Sequence, residues 1–182
     1  ARVVLAARRT DRLDSLANEL TDALVVECDL SQAGQAEMLV AAAMERYQQI
    51  DVLINNAGVN NAALAIDESL DDFRHEIEVN LIAPFELSRL AARTMIAAER
   101  TGSIINIASI FGLVGVGQIP DAGYAASKGG LINMTRELAA QWARKGVRVN
   151  AIAPGWFRSE MTDDLMFSDE NSMKWLRQHT PM

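Results

Sequence analysis

A chain of 182 residues with 49% hydrophobic and 23% charged side chains has the profile of one soluble α/β-sized domain, and excludes disorder, a collagen repeat and a disulfide scaffold. Its 24 acidic against 17 basic residues give a formal charge of −7, which disfavours non-specific binding to nucleic acid or an anionic membrane and favours a small-molecule partner. The single cysteine, Cys28, can form no internal disulfide, no secretory leader pattern opens the sequence, and no apolar run reaches a membrane-spanning length, so a cytoplasmic protein is expected.

Arg2-Val3-Val4-Leu5-Ala6-Ala7 is a short apolar run that reads as a buried strand. Thr10 can cap a helix over 11–20, with Leu13, Leu16, Ala17 and Leu20 on one face. Residues 23–27 form the next strand. Ser31 is placed to cap a long helix to about residue 47 carrying Met38, Leu39, Ala42 and Met44, and 52–54 is a third strand. Ser69 opens a helical stretch past residue 98, with a kink expected at Pro84, and 103–108 is another strand. Residues 124–145 are helical up to Gly146, and 148–153 form the last strand before Pro154-Gly155. Strands alternating with long helices require parallel pairing through helical crossovers, hence a doubly wound parallel α/β sheet. Ligands in such sheets bind beyond the carboxyl ends of the strands, which directs attention to Arg8, Asp29, residues 55–58, Ser109, Pro154 and Gly155.

After the third strand, Asn55-Asn56-Ala57-Gly58 offers two amides and small residues that let backbone approach a flat ligand; alone it is equally an ordinary turn. Tyr124 and Lys128 stand four apart on a helix, where side chains share a face with roughly 5–6 Å between Cβ atoms. A cation beside a phenol favours the phenolate and draws its pKa of about 10 toward the range of acid–base work. By itself the pair is also what any amphipathic helix can carry.

The set taken together is distinctive. Asn56-Ala57-Gly58, Asn80, Asn106-Ile107-Ala108-Ser109, Tyr124-x-x-x-Lys128 and Pro154-Gly155 resemble, in order and spacing, the short-chain dehydrogenase/reductase family over essentially the whole chain. The resemblance implies a Rossmann-like, three-layer αβα domain over 1–182 and hydride transfer between a nicotinamide and a carbonyl or secondary alcohol. It implies Tyr124 as acid/base, Ser109 holding the substrate oxygen, Lys128 on the nicotinamide ribose, and Asn80 supporting a water-linked proton path to Lys128. Asp29 resembles the family's adenine contact, Asn56, Ala57 and Gly58 its cofactor lining, and Ile152, Pro154, Gly155 and Ser159 its carboxamide side. Homotetramers or dimers through the helices over 69–98 and 124–145 are also implied. A non-catalytic nucleotide-binding protein on the same fold is the alternative, since fold does not fix function; the intact Ser109, Tyr124 and Lys128 argue against it.

The family's glycine-rich turn is not in this sequence, so a further βα unit of about 30 residues is expected before Ala1, and a further helix and strand after the segment with Trp175. Gly112-x-x-Gly115-x-Gly117 does not lead into a helix and is rejected as a substitute phosphate loop. NADP is expected over NAD, because Ala7 stands where NAD-preferring relatives carry an aspartate, and Arg8 follows with a guanidinium suited to a 2′-phosphate. His75 and His179 show no metal-site spacing, and no metal is expected. Cys28 reads as a small buried hydrophobe. Residues 156–182 hold four of the eight methionines and two of the three tryptophans, and correspond to the family's substrate lid; packing on the protein itself explains them equally well.

Overall fold

The computed structural model describes residues 1–117, 119–162 and 170–179. Five parallel strands alternate with helices in chain order: β1 (Val3–Ala7), α1 (Thr10–Ala17), β2 (Ala23–Glu27), α2 (Gln35–Tyr47), β3 (Val52–Asn55), α3 (Leu70–Ile77), α4 (Ala83–Ala97), β4 (Gly102–Ile107), α5 (Ala122–Trp142), β5 (Val147–Ile152), α6 (Glu160–Thr162) and α7 (Glu170–His179). The pattern is Rossmann-like, as expected. β1 pairs with β2, β3 with β4 and β4 with β5, and among the described strands no ladder joins the two groups. Between them lies a cleft of about 1450 Å³, lined on one side by Val3 and Val4 and on the other by Val52, Leu53 and Ile54.

Three cores hold the layers. Ala91, Ala92 and Met95 of α4, Ile104 of β4, Leu138 of α5 and Val147 and Val149 of β5 form the largest. Small residues on α4 let it lie close to the strands; at Gly102 a Cβ would overlap the Met95 side chain. Ala36, Leu87 and Leu90 join α2 to α4, and Ala108, Leu131 and Ile132 seat α5 beneath the end of β4. A buried polar ladder runs through the same region. Asn55 Nδ2 donates to Asn106 Oδ1 (2.8 Å) and Ser88 Oγ (3.0 Å), Asn106 Nδ2 donates to Thr135 Oγ1 (2.9 Å), and Thr135 Oγ1 donates to the Leu131 carbonyl (2.7 Å). Side-chain bonds thus fix β3, β4, α4 and α5 in one register where the ladder is shielded from water.

Several helix boundaries differ from expectation for local reasons. Thr10 is the first residue of α1 and does not cap it, and α1 ends at Ala17. Of the expected apolar face only Leu13 is buried, while Leu16 and Leu20 remain exposed. Ser31 does not cap α2: its N–H and hydroxyl both donate to Asp29 Oδ1 (3.0 and 2.8 Å), a local turn that competes with helix initiation. The helix begins after Gly34, whose φ of +82° suits only glycine, and buries Ala36, Ala43 and Tyr47 while Met38 stays exposed. Ser69 does cap α3, accepting from the Asp72 N–H. The break expected at Pro84 falls earlier, at a wide helical turn over Glu78–Ile82, and Pro84 occupies the first turn of α4, where a proline is tolerated. Finally, α5 starts at Ala122 with Asp121 as cap and closes in a tight turn over Ala143–Lys145 before Gly146 at φ +81°.

Candidate active site

The carboxyl ends of β1, β2, β3 and β4 and the start of α5 converge on the cleft. Arg8, Asp29, Asn56, Ala57, Gly58, Ser109, Tyr124, Lys128, Pro154, Gly155 and Ser159 all line it. Ile152 and Asn80 do not. The Ile152 carbonyl accepts from the Ala108 N–H (2.7 Å). Asn80 lies behind the wall, fully buried in the wide turn before α4.

Asn80 acts as a clamp. Its Oδ1 accepts from the Val59 N–H and its Nδ2 donates to the Val59 carbonyl, both at 2.8 Å, and Nδ2 also donates to Ser127 Oγ at 3.1 Å. The amide therefore ties the turn after β3 to α5 one helical turn beyond Tyr124. A Cβ at Gly58 would come 3.3 Å from Asn80 Oδ1 and 3.4 Å from Lys128 Nζ, so the absent side chain lets this turn pass close to both.

Lys128 is 3% exposed. Its Nζ donates to the Ile107 carbonyl at the end of β4 (2.9 Å) and stands 5.4 Å from the Tyr124 ring centroid. Burial depresses the ammonium to a pKa of about 8. Tyr124 departs from the sequence expectation: its pKa is raised, chiefly by burial and further by the negative charges of Asp121 and Glu76, while the hydrogen bond with Ser109 pulls it partly back. Ser109 caps a short turn over Ile110–Gly112, its Oγ accepting from the Phe111 N–H (3.2 Å). Asp29 is held below the usual carboxylate range by its bonds to Ser31, with a smaller pull from Arg8.

Three features escaped the sequence reading. Phe111 stands edge-on between Tyr124 (5.7 Å between centroids) and Trp156 (5.6 Å), closing one side of a small cavity of about 80 Å³ that Ser109, Ile119 and Tyr124 also line. Asp121 caps α5, accepting from the Tyr124 N–H (3.0 Å), and an Asp three residues before Tyr124 was a legible cap signal. Glu160 accepts from Arg9 (3.0 Å) and pairs with Arg12, fastening α6 across the cleft mouth to α1. Among the described residues Arg8 pairs with no carboxylate.

The rejected glycine loop does not line the cleft. A Cβ at Gly112 would meet the Lys128 backbone at 2.7 Å and Ile132 Cδ1 at 2.8 Å, whereas Gly115 and Gly117 face open space; Gly112 thus serves close packing on α5. Cys28 is buried, with its thiol pKa raised mainly by burial. In the expected lid segment Trp156 packs on Phe111 and Phe157 is exposed, while Met166, Phe167 and Met182 and the side chains of Met161, Trp175 and His179 lie outside what is described. No helix among the described residues is long and apolar enough to cross a membrane.

Known proteins are similar to this chain. A 3-oxoacyl-acyl-carrier-protein reductase of Rickettsia bellii is 41% identical over 165 residues, 90% of this chain and 65% of the relative. Its namesake in Rattus norvegicus is 36% identical over 166 residues, 90% of this chain and 68% of the relative. The solved gluconate 5-dehydrogenase from Burkholderia cenocepacia, in complex with NADP and tartrate, superposes with a TM-score of 0.88 at 30% identity, over 100% of this chain and 71% of that one. A 4-hydroxyisoleucine dehydrogenase complexed with NADH gives 0.90 at 32%, over 97% and 72%. The chain spans 65–66% of the length of the first curated relatives it matches. Residues 1–169 match the short chain dehydrogenase family, a span that takes in every strand end on the cleft, and the chain belongs to that family.

Proposed function

We propose that the chain carries the catalytic site of an NADP(H)-dependent oxidoreductase that interconverts a carbonyl group and a secondary alcohol. The convergence of Ser109, Tyr124 and Lys128 on one cleft carries the reading. NADP(H), when bound, supplies or takes up the hydride. The residues fit that cofactor: the bare Gly58 lets the turn after β3 pass close to Lys128 Nζ, and among the described residues Arg8 has no carboxylate partner, which leaves its guanidinium for a 2′-phosphate. Asp29 would face the adenine, and Asn56, Ala57, Pro154, Gly155 and Ser159 the remaining walls.

Tyr124 keeps its proton at neutral pH because its pKa is raised, so it is an acid ready to protonate the oxygen that gathers negative charge during reduction. Ser109 lines the cleft beside the phenol, and its hydroxyl would hold that oxygen against Tyr124. Lys128 contributes positive charge from a position fixed by Ile107, and Asn80 keeps the turn after β3 and α5 in register. Phe111, Ile119 and Trp156 offer an apolar wall to the rest of the substrate. The relatives' names put a 3-oxoacyl thioester and a sugar acid first among candidate substrates. Assembly as a homotetramer or dimer through the helices over 69–98 and 124–145 belongs to the same proposal, supported by the exposure of Ile82, just before α4, and of Phe85 within it and open to light scattering.

The test is NADPH absorbance with a panel of 3-oxoacyl thioesters, sugar acids, ketones and secondary alcohols. Carbonyl-dependent oxidation that Tyr124→Phe abolishes is the expected result. NADPH binding with no turnover of any compound would support the nucleotide-binding alternative instead.

A further inference from the structure

We propose that Glu68, Glu76 and Asp121 form a binding site for a hard divalent cation of the Ca²⁺ type at the start of α5. The three come from separate places: the loop before α3, the last turn of α3, and the cap of α5. Their spacing in sequence gives no metal signature. In the fold each offers a carboxylate oxygen, and these oxygens lie within 4.8 Å of one another. Ligands around one Ca²⁺ sit at about 2.3–2.6 Å from it, so their mutual distances extend to roughly 5 Å. Magnesium, at about 2.0–2.1 Å, requires a tighter set. An all-oxygen, all-anionic donor set with no sulfur or imidazole selects a hard ion.

The second observation is Glu76 itself. It is 1% exposed, and its Oε2 accepts no hydrogen bond among the described residues. Backbone donors hold other oxygens of the cluster: the Asn61 N–H gives to Glu76 Oε1 (2.6 Å), the Gly123 N–H to Glu68 Oε1 (3.3 Å) and the Tyr124 N–H to Asp121 Oδ1 (3.0 Å). The carboxylates are thus oriented with Glu76 Oε2 pointed into the space between them. A buried carboxylate oxygen without a donor or cation is costly, and no Lys or Arg among the described residues pairs with any of the three. Gly123 leaves the space open: a Cβ there would land on Glu76 Oε2 and come 2.7 Å from Glu68 Oε1. Glu68 is partly exposed and gives an entry path.

A cation held here would join α3 and the loop before it to the helix that carries Tyr124. It would also offset the two negative charges that raise the phenol's pKa. Burial pushes both Glu76 and Asp121 upward, and the charge of Glu68 adds to each, while Glu76 and Asp121 lie close enough to share a proton.

The test is calorimetric titration of the chelator-treated 182-residue chain with CaCl₂, with thermal unfolding as a second readout. One Ca²⁺ per chain with half-saturation below about 1 mM is expected, with weaker binding of MgCl₂ and a rise in Tm. Glu76→Gln keeps the shape and removes a charge, and should weaken binding at least about tenfold. Asp121→Asn, which preserves a helix cap, should do the same if Glu76→Gln does not fold. Absence of saturable binding to about 10 mM would show that shared protons alone hold the cluster, and unchanged affinity in a folded variant would place the ion elsewhere; either result overturns the proposal.

Discussion

The Lys128 ammonium stands 5.4 Å from the centroid of the Tyr124 ring and gives its hydrogen bond to the Ile107 carbonyl instead. The spacing of four residues does place the two on one helical face, but the ammonium bonds to the Ile107 carbonyl and lies over the ring. Burial dominates both groups, lowering the lysine to about 8 and raising the tyrosine. At neutral pH the site therefore holds a protonated phenol beside a mostly charged ammonium.

Replacement of Tyr124 by Phe removes the hydroxyl and keeps the ring against Phe111. Turnover should fall by at least about 10², the lower end for general acid–base catalysis, with NADPH affinity little changed. Steady-state kinetics with a titration of NADPH fluorescence would separate the two effects. Near-normal turnover would remove Tyr124 from its role.

Arg8→Ala tests the cofactor preference. Arg9 and Arg12 are both turned toward Glu160, so Arg8 is the cation left for a 2′-phosphate. Loss of a charge-assisted bond of roughly 1.5–3 kcal/mol corresponds to about a 10- to 150-fold rise in KM for NADPH and little change for NADH. Equal losses with both would leave Arg8 a surface residue only.

The positions of the five strands and the order of the site residues were legible because strand runs and strand-end motifs are local signals. What was not legible depends on contacts distant in sequence. Ser31 has the chemistry of a cap, but Asp29 two residues earlier takes both its donors. Asn55, Asn106 and Thr135 are unremarkable polar residues until β3, β4 and α5 come together. The rise in the Tyr124 pKa comes from burial and from Asp121 and Glu76, which a spacing of four residues to Lys128 does not reveal.

Glycine substitutions in the loop before α5 should separate packing from flexibility. Gly112→Ala places a methyl 2.7 Å from the Lys128 backbone, an overpacking that typically costs about 1–3 kcal/mol, and it should also disturb Lys128. Gly115→Ala and Gly117→Ala meet nothing within 4 Å and should change stability by less than about 0.5 kcal/mol. Urea midpoints of the three variants check the ranking, and a Gly112→Ala protein as stable as the other two would show that the turn over Ile110–Gly112 shifts freely.

Lys128 should leave a signature in the pH dependence of stability. Its pKa falls from 10.5 to about 8 on folding, so between those values the unfolded chain holds a proton that the folded chain has released. Stability contributed by this group therefore rises with pH across that window, and below about 8 the full cost of burying an ammonium is present. The shift corresponds to roughly 3 kcal/mol between the two limits. Tyr124, Tyr47 and Cys28 have raised pKa values and oppose the trend at alkaline pH, which makes the difference between wild type and Lys128→Met the quantity to measure. Lys128→Met also leaves the Ile107 carbonyl without its donor, but that penalty does not depend on pH. The variant should gain on wild type by about 2–3 kcal/mol more at pH 7 than at pH 10, read from urea unfolding at each. A difference constant across this range would mean that the lysine keeps its proton in the folded protein and that the ammonium finds enough polar company in the cleft to offset its burial.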